Sequence, residues 1–265
     1  MAFFELSDGE RLYYETHGSG PPLILVTGLS GIAGFWAQHV EALAEHFTLV
    51  LHDHRGTGQS SLSQIDYSVD QMADDVLQLI NHLSFDRVNF VGHSTGGAIG
   101  QVLALDHRER LERMVLSATW AGQDAYFNLF FEWRKKLLLE VGPKDYLRSI
   151  LLVAKPPQWF REHPEEAADL TPEMLNARVP DLHCAASRLD AIMAYDRRAQ
   201  VNGITTPTLV ICTEDDMVTP PYLSWELAEL IPGANLTLLP DGGHFYPQTR
   251  PEAFLEAVIG FLGTG

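Results

Sequence analysis

Cysteine is scarce in this chain, at 2 of 265 residues. Cys184 and Cys212 are too few for a disulfide scaffold and do not form a C-x-x-C pair, so two reduced thiols are expected. Cations are also short: 18 Lys and Arg stand against 35 Asp and Glu, a formal net charge of -17. That balance argues against nucleic acid and against anionic membranes, since both recruit clustered positive charge. No apolar run reaches the roughly 18 residues of a membrane span. The start, Met1-Ala2-Phe3-Phe4-Glu5, lacks the basic and apolar regions of a secretory signal, and a cytoplasmic location is expected. With no internal repeat and no low-complexity segment, neither a repeat array nor a disordered tract is expected. What remains is an ordinary globular composition, 46% hydrophobic and 20% charged. It is long enough for one large α/β domain with room for an insertion.

The hydrophobic pattern alternates between two periods. Phe3 to Leu6 and Arg11 to Thr16 flank the turn Ser7-Asp8-Gly9-Glu10 and read as a hairpin. Pro22 to Val26 is a continuous apolar run, as expected of a strand buried on both faces. Trp36 to His46 has helical spacing, and Phe47 to Leu51 reads as the next strand. Tyr67 to Leu83 carries a helical stripe at Val69, Met72, Val76, Leu79, Ile80 and Leu83. Val88 to Val91 and Met114 to Ser117 read as strands around a helix from Thr95 to Asp106. After that the strands stop. Residues 119–200 hold helical stretches and aromatics, punctuated by Pro143, Pro156-Pro157, Pro164 and Pro172. Strand character returns at Thr208 to Ile211 and Leu236 to Leu239, with helices at Tyr222 to Ile231 and Pro251 to Phe261. The expectation is an α/β fold with a mostly parallel, doubly wound sheet. Its core spans 1–118 and 201–265, and a helical cap (119–200) is inserted over one end.

Gly92-His93-Ser94-Thr95-Gly96 lies at the junction of a strand and a helix, the context of a G-x-S-x-G nucleophile elbow. A serine nucleophile needs a base, a group that orients the base, and donors for the oxyanion. His244, in Asp241-Gly242-Gly243-His244-Phe245, lies between the last strand and the last helix and is the base candidate. Asp216 follows the penultimate strand and is the acid candidate. Ser94, Asp216 and His244 run in the Ser, acid, His order of the α/β-hydrolase fold. The oxyanion donors are assigned to the N–H of Thr95, at the head of the elbow helix, and of Leu29, in Thr27-Gly28-Leu29-Ser30-Gly31.

Leu25-Val26-Thr27-Gly28-Leu29, Asp53-His54-Arg55-Gly56-Thr57-Gly58-Gln59-Ser60, Gly92 to Gly97, the Asp216 loop and Gly243-His244 fall in one order along essentially the whole chain. In this the sequence resembles the α/β-hydrolase superfamily, and most nearly small bacterial 3-oxoadipate enol-lactone hydrolases and aminoacrylate hydrolases. The resemblance implies a cofactor-free, metal-free serine hydrolase acting on a small ester, enol-lactone or activated amide in catabolism. In the family's pattern a small residue precedes the acid by three and a proline follows by four. Thr213, Asp216 and Pro220 fit, which favours Asp216 over Asp215. One departure is Thr27-Gly28, where many relatives carry His-Gly.

Other residues have structural readings. His93 is read as packing, its side chain directed away from that of Ser94. Asp53 and Arg55 are read as fixing a turn flanked by His52 and His54. His183 beside Cys184 lacks the further ligands of a zinc site. Trp36 and Trp120 are expected to line the substrate pocket. Arg178, Arg188, Arg197 and Arg198 of the cap are candidates to meet a substrate carboxylate, against the alternative of solvated surface charge. A small-molecule substrate and a monomer or homodimer are expected. Two rival functions use the same frame: a carbon–carbon bond hydrolase of a vinylogous diketone, against which His93 counts, and a slow-hydrolase ligand receptor. Cofactor-free dioxygenases and haloperoxidase-like enzymes also share the fold.

Overall fold

The computed structural model describes residues 2–168 and 170–263. Among the described residues there are eight strands: β1 (Ala2–Glu5), β2 (Arg11–His17), β3 (Pro22–Val26), β4 (Thr48–His52), β5 (Val88–His93), β6 (Leu111–Ser117), β7 (Thr208–Thr213) and β8 (Asn235–Leu239). They build one sheet in the order β1-β2-β4-β3-β5-β6-β7-β8. β2 pairs antiparallel with both β1 and β4. Every other pairing is parallel. The helices are α1 (Val40–Ala44), α2 (Val69–His82), α3 (Thr95–Asp106), α4 (Ala125–Lys136), α5 (Pro143–Ala154), α6 (Pro157–Glu162), α7 (Pro172–Arg178), α8 (Leu182–Ala194), α9 (Pro221–Leu230), α10 (Tyr246–Thr249) and α11 (Pro251–Leu262). None is long and apolar enough to cross a membrane.

The central strands are apolar on both faces because both faces are covered. In β3, Ile24 and Val26 join a core with α2, α3 and the helices of residues 125–194. Leu23 and Leu25 point the other way, into a core with Trp36, Leu43 and Phe254. The α2 stripe is buried as its spacing requires, and the Ser68 side chain accepts the Gln71 N–H at its N-terminus. Loss of such a cap costs about 1 kcal/mol.

Several elements differ from expectation in their bounds, and for three of them the tertiary reason is direct. The helix read over Trp36 to His46 is a 3-10 turn, Ala33–His39, followed by the short α1. Asp53, distant in sequence, accepts the Ala33 N–H at 2.7 Å and so starts the turn early. β5 continues through Gly92 and His93 because Leu116 and Ser117 of β6 pair with them. β6 begins at Leu111, which pairs with Val88.

Between β6 and β7 the described residues form α4 to α8 and short helical turns, with one isolated bridge, Gly122 to Asp196. Pro143, Pro157 and Pro172 each open a helix. The first turn is where the missing N–H of proline costs nothing.

The chain leaves β3 for β4 on one side and returns through β5 on the other. This reversal is the switch point at which open α/β sheets hold ligands, outside the carboxyl ends of the strands. The loop after β3 and the turn after β5 therefore meet.

Candidate active site

Ser94 occupies the turn from β5 to α3 with φ 55° and ψ -118°. A non-glycine residue in this region is strained by about 1–3 kcal/mol and persists only where its surroundings over-determine it. Here its N–H donates to the Ser117 carbonyl at 2.8 Å, and its carbonyl accepts the Gly97 N–H at 2.9 Å. The flanking glycines are forced by backbone contact. A Cβ on Gly92 would lie 2.2 Å from the Gly96 carbonyl oxygen, and one on Gly96 would lie 2.2 Å from that of Val26.

Asp216 and His244 come together from the ends of β7 and β8. His244 Nδ1 lies 2.8 Å from Asp216 Oδ2, with both side chains buried. A carboxylate at that distance takes the Nδ1–H, which leaves Nε2 as the basic nitrogen. Asp216 is itself held: Oδ1 accepts the N–H groups of Val218 (2.7 Å) and Thr219 (3.0 Å). The Thr219 hydroxyl stands 3.0 Å from Asp216 Oδ2 and 2.9 Å from the Ala118 carbonyl, tying the acid loop to the end of β6. Asp215 faces away from the imidazole. Its carboxylate accepts the N–H groups of Gly242 and Gly243 and so holds the loop that carries His244.

Ser94 and His244 open onto one cavity of about 80 Å³, walled also by Gly28, Leu29, Phe35, His93, Thr95, Phe131, Arg134, Tyr146, Arg178 and Val218 among others. No hydrogen bond joins Ser94 Oγ to His244 among the described residues, and such bonds often tighten only with substrate bound. Gly28 abuts the serine: a Cβ there would lie 3.1 Å from Ser94 Cβ. The N–H of Thr95, first residue of α3, has no partner within the helix. No described residue accepts the Leu29 N–H.

The Thr27 departure is accommodated by the neighbouring turn. His54 donates Nε2–H to the Thr27 carbonyl at 3.1 Å, and its ring packs against Gly31. Asp53 accepts the N–H groups of Ala33 and Gln59. Arg55 forms a two-pronged pair with Asp75 and a further pair with Asp8. These residues shape the loop from below and do not line the cavity.

Three expectations need correction. Trp36 is not on the cavity wall; it is fully buried in the opposite core, stacked on Phe254 at 5.7 Å. Its neighbour Phe35 faces the cavity instead, because a 3-10 turn rotates successive side chains by about a third of a turn. Trp120 is also off the wall, packed against Phe127 and Tyr195 behind it. His93 does pack, with Nδ1 2.9 Å from Ser117 Oγ and its ring stacked on Phe35. Yet it does not turn away from Ser94: it lines the same cavity, 4.8 Å from the His244 ring. Burial, and then the nearness of His244, push its pKa well below the usual histidine range.

The four arginines separate. Arg178 lines the cavity. Arg188 is buried and donates to the Leu29 and Arg55 carbonyls, pinning the loop after β3. Arg197 pairs with Asp70, and Arg198 with Glu226. Arg134, not among the four, lines the cavity as well. Its signal was present in the spacing Phe127, Phe131, Arg134, Leu138, one face of a helix. All four residues are buried.

The model of the α/β hydrolase fold family matches residues 21–249. The chain belongs to this family. Among its relatives are two proteins named "Putative carbamate hydrolase RutD". The one from Azorhizobium caulinodans is 36% identical over 252 residues, covering 95% of each chain. The one from Serratia proteamaculans is 37% identical over 258 residues, covering 95% of this chain and 96% of that one. Among solved structures, the enol-lactonase from Burkholderia xenovorans superposes with a TM-score of 0.90 at 30% identity, covering 99% of this chain and 100% of that one. Within that fold, Ser94 lies on the turn from β5 to α3, and Asp216 and His244 lie on the loops after β7 and β8.

Proposed function

We propose that this family member is a cofactor-free serine hydrolase of small molecules, cleaving an ester, enol-lactone or activated amide through an acyl-enzyme. The observation that carries the reading is the buried 2.8 Å contact between Asp216 and His244, with His244 and Ser94 facing one cavity. Ser94 attacks the carbonyl carbon, and its proton passes to His244 Nε2. Asp216 holds the imidazole in the required tautomer and stabilises it when charged. The N–H groups of Thr95 and Leu29 receive the oxyanion. His244 then returns the proton to the leaving group, and water attacks the acyl-enzyme by the same route reversed.

Residues 119–200 act in this reading as a cap over the core of 1–118 and 201–265. They supply Phe131, Arg134, Tyr146 and Arg178 to the cavity wall, and so set which acyl group is accepted. The names of the relatives, carbamate hydrolase and enol-lactonase, support a small substrate cleaved at an activated carbonyl.

The test is turnover of a small chromogenic ester by the wild-type chain and by Ser94→Ala. The expected result is a burst of leaving group followed by steady turnover, both abolished in the variant. Equal rates for the two proteins would overturn the reading.

A further inference from the structure

Behind Ser94 and His244 lies a chain of polar side chains that the acyl-transfer steps do not use. His93 of β5, Ser117 of β6 and Ile211 of β7 are in register across neighbouring strands, so the side chains of His93 and Ser117 emerge on one face of the sheet. That face carries the core of Trp36, Tyr246 and Phe254. Within it, His93 Nδ1 lies 2.9 Å from Ser117 Oγ, Ser117 Oγ lies 2.5 Å from Tyr246 Oη, and Tyr246 Oη lies 3.1 Å from the Ile211 carbonyl. All four residues are buried. Only one arrangement of protons fills all three contacts. A carbonyl accepts and never donates, so the single phenolic proton goes to Ile211. Burial pushes the Tyr246 phenol well above its usual range and keeps that proton in place. Ser117 then donates to Tyr246, and His93 donates its Nδ1–H to Ser117. His93 is thereby fixed as the tautomer whose Nε2 is an acceptor. That atom is buried without a partner among the described residues.

The chain runs between the two reacting groups. One end is the residue before Ser94, and the other is the second residue after His244. Its middle, Ser117, also takes the Ser94 N–H on its carbonyl at 2.8 Å. The next residue, Ala118, has φ 46°, in the left-handed region that favours glycine, and its carbonyl lies 2.9 Å from the Thr219 hydroxyl of the acid loop. Such a conformation persists only where the surroundings over-determine it. The loops of Ser94, Asp216 and His244 thus all converge on the end of β6. Apolar side chains could fill this core without the cost of satisfying buried polar groups. A chain of directed hydrogen bonds does what they cannot, which is to admit one spacing only.

We propose that His93, Ser117 and Tyr246 are positioning residues, whose hydrogen-bonded chain sets the spacing of the nucleophile Ser94 and the base His244. This rests on the serine-hydrolase reading above. The chain acts through Ser117 on the turn that carries Ser94, and through Tyr246 on the loop that carries His244. It also fixes the orientation of the His93 ring, 4.8 Å from that of His244. Buried and neutral, that ring adds no repulsion when His244 takes the serine proton.

Two measurements test the proposal. In the first, kcat and KM for 4-nitrophenyl acetate are read in the wild type, Ser117→Ala, Tyr246→Phe and the double variant, with Tm as the check on folding. Each single variant is expected to lose about tenfold in kcat while KM stays within about twofold of the wild type. The double variant should lose little more than either, because each change breaks the same chain. An unchanged kcat with a lower Tm would reduce the chain to packing and overturn the proposal. Losses that multiply in the double variant, or a change confined to KM, would overturn it as well. The second measurement needs no turnover: nitrogen-15 NMR of the histidine side chains reads the tautomer directly. The wild type is expected to show a slowly exchanging Nδ1–H, distinct from that of His244, which is absent from His93→Phe and exchanges faster in Ser117→Ala. A proton on His93 Nε2 in its place would reverse the order of donors and overturn the chain. The Nδ1–H on His93 together with no ester turnover in the wild type would overturn the hydrolase reading, and with it the role of the chain, while leaving the chain itself in place.

Discussion

Two regions of this molecule face each other across one small cavity, and they are built in opposite ways. Below, at the carboxyl ends of the strands, positions are fixed by backbone. Ser94 is held in a strained turn by main-chain bonds and glycine contacts, and Asp216 by two N–H groups and a hydroxyl. Above, the helices from Ala125 to Ala194 contribute side chains alone, among them Phe131, Arg134, Tyr146 and Arg178 on the cavity wall. The lesson is a division of labour. A reaction common to many substrates needs atoms held to within fractions of an ångström, which the sheet provides. On the proposed function, choice among substrates falls to the side chains that the helices place on the cavity wall.

The sharpest way to break this comparison is to remove the groups of the lower region. Ser94→Ala should lower kcat by about 10³-fold or more, His244→Ala by a similar factor, and the double variant by little beyond either. Losses that multiply in the double variant would show that the two residues do not act as a unit. Asp216→Asn comes next, with a loss of about 10²-fold or more, because the amide no longer fixes the His244 tautomer. Asp215→Asn should cost less activity and show mainly as a lower Tm, since Asp215 holds only the backbone of the histidine loop. Both are read with one chromogenic ester, and a dead Asp215→Asn with an active Asp216→Asn would reverse the assignment.

Backbone control itself is tested by Gly96→Ala. The added methyl group meets the Val26 carbonyl at 2.2 Å, so β3 and α3 must part. A loss of about 1–3 kcal/mol in urea unfolding is expected, as for other overpacked sites. A variant of unchanged stability would mean that the elbow is not clamped by this contact.

The smallest effect is on pH dependence. Burial lowers the pKa of His39 and His52 to about 4 in the fold, against 6.5 for the free side chain. The unfolded chain therefore binds more protons between those values, and stability falls as pH drops through that window. Each ring is expected to cost about 1 kcal/mol at pH 5.5 relative to neutral pH. Urea midpoints at the two pH values measure it, and His52→Gln should lose less than the wild type. An equal loss in both would show that His52 is not held neutral.

The lower region was largely legible in the sequence, because backbone demands leave local marks. Gly92 beside Ser94, the apolar strand before it, and the order of Ser94, Asp216 and His244 reflect contacts within a few residues or a fixed chain order, while Gly96 is required by Val26 of the neighbouring strand and was legible only as part of the motif. The upper region was less so. Trp36 and Trp120 looked like pocket aromatics, but which face a large ring presents depends on a 3-10 turn started by Asp53 and on packing across the core. Arg134 was readable in principle from its place on the apolar face with Phe127, Phe131 and Leu138. Arg197 and Arg198 could be told from Arg178 only through Asp70 and Glu226, carboxylates far away in the chain.

The central claim is that Ser94 is a nucleophile activated by His244. Its most direct test is labelling with a small fluorophosphonate, which bonds covalently to an activated serine, followed by peptide mass analysis. The account predicts one adduct per chain, on the peptide carrying Ser94, formed at a rate that collapses in His244→Ala and falls strongly in Asp216→Asn. An adduct on another residue, or equal labelling of Ser94 in the wild type and His244→Ala, would contradict it.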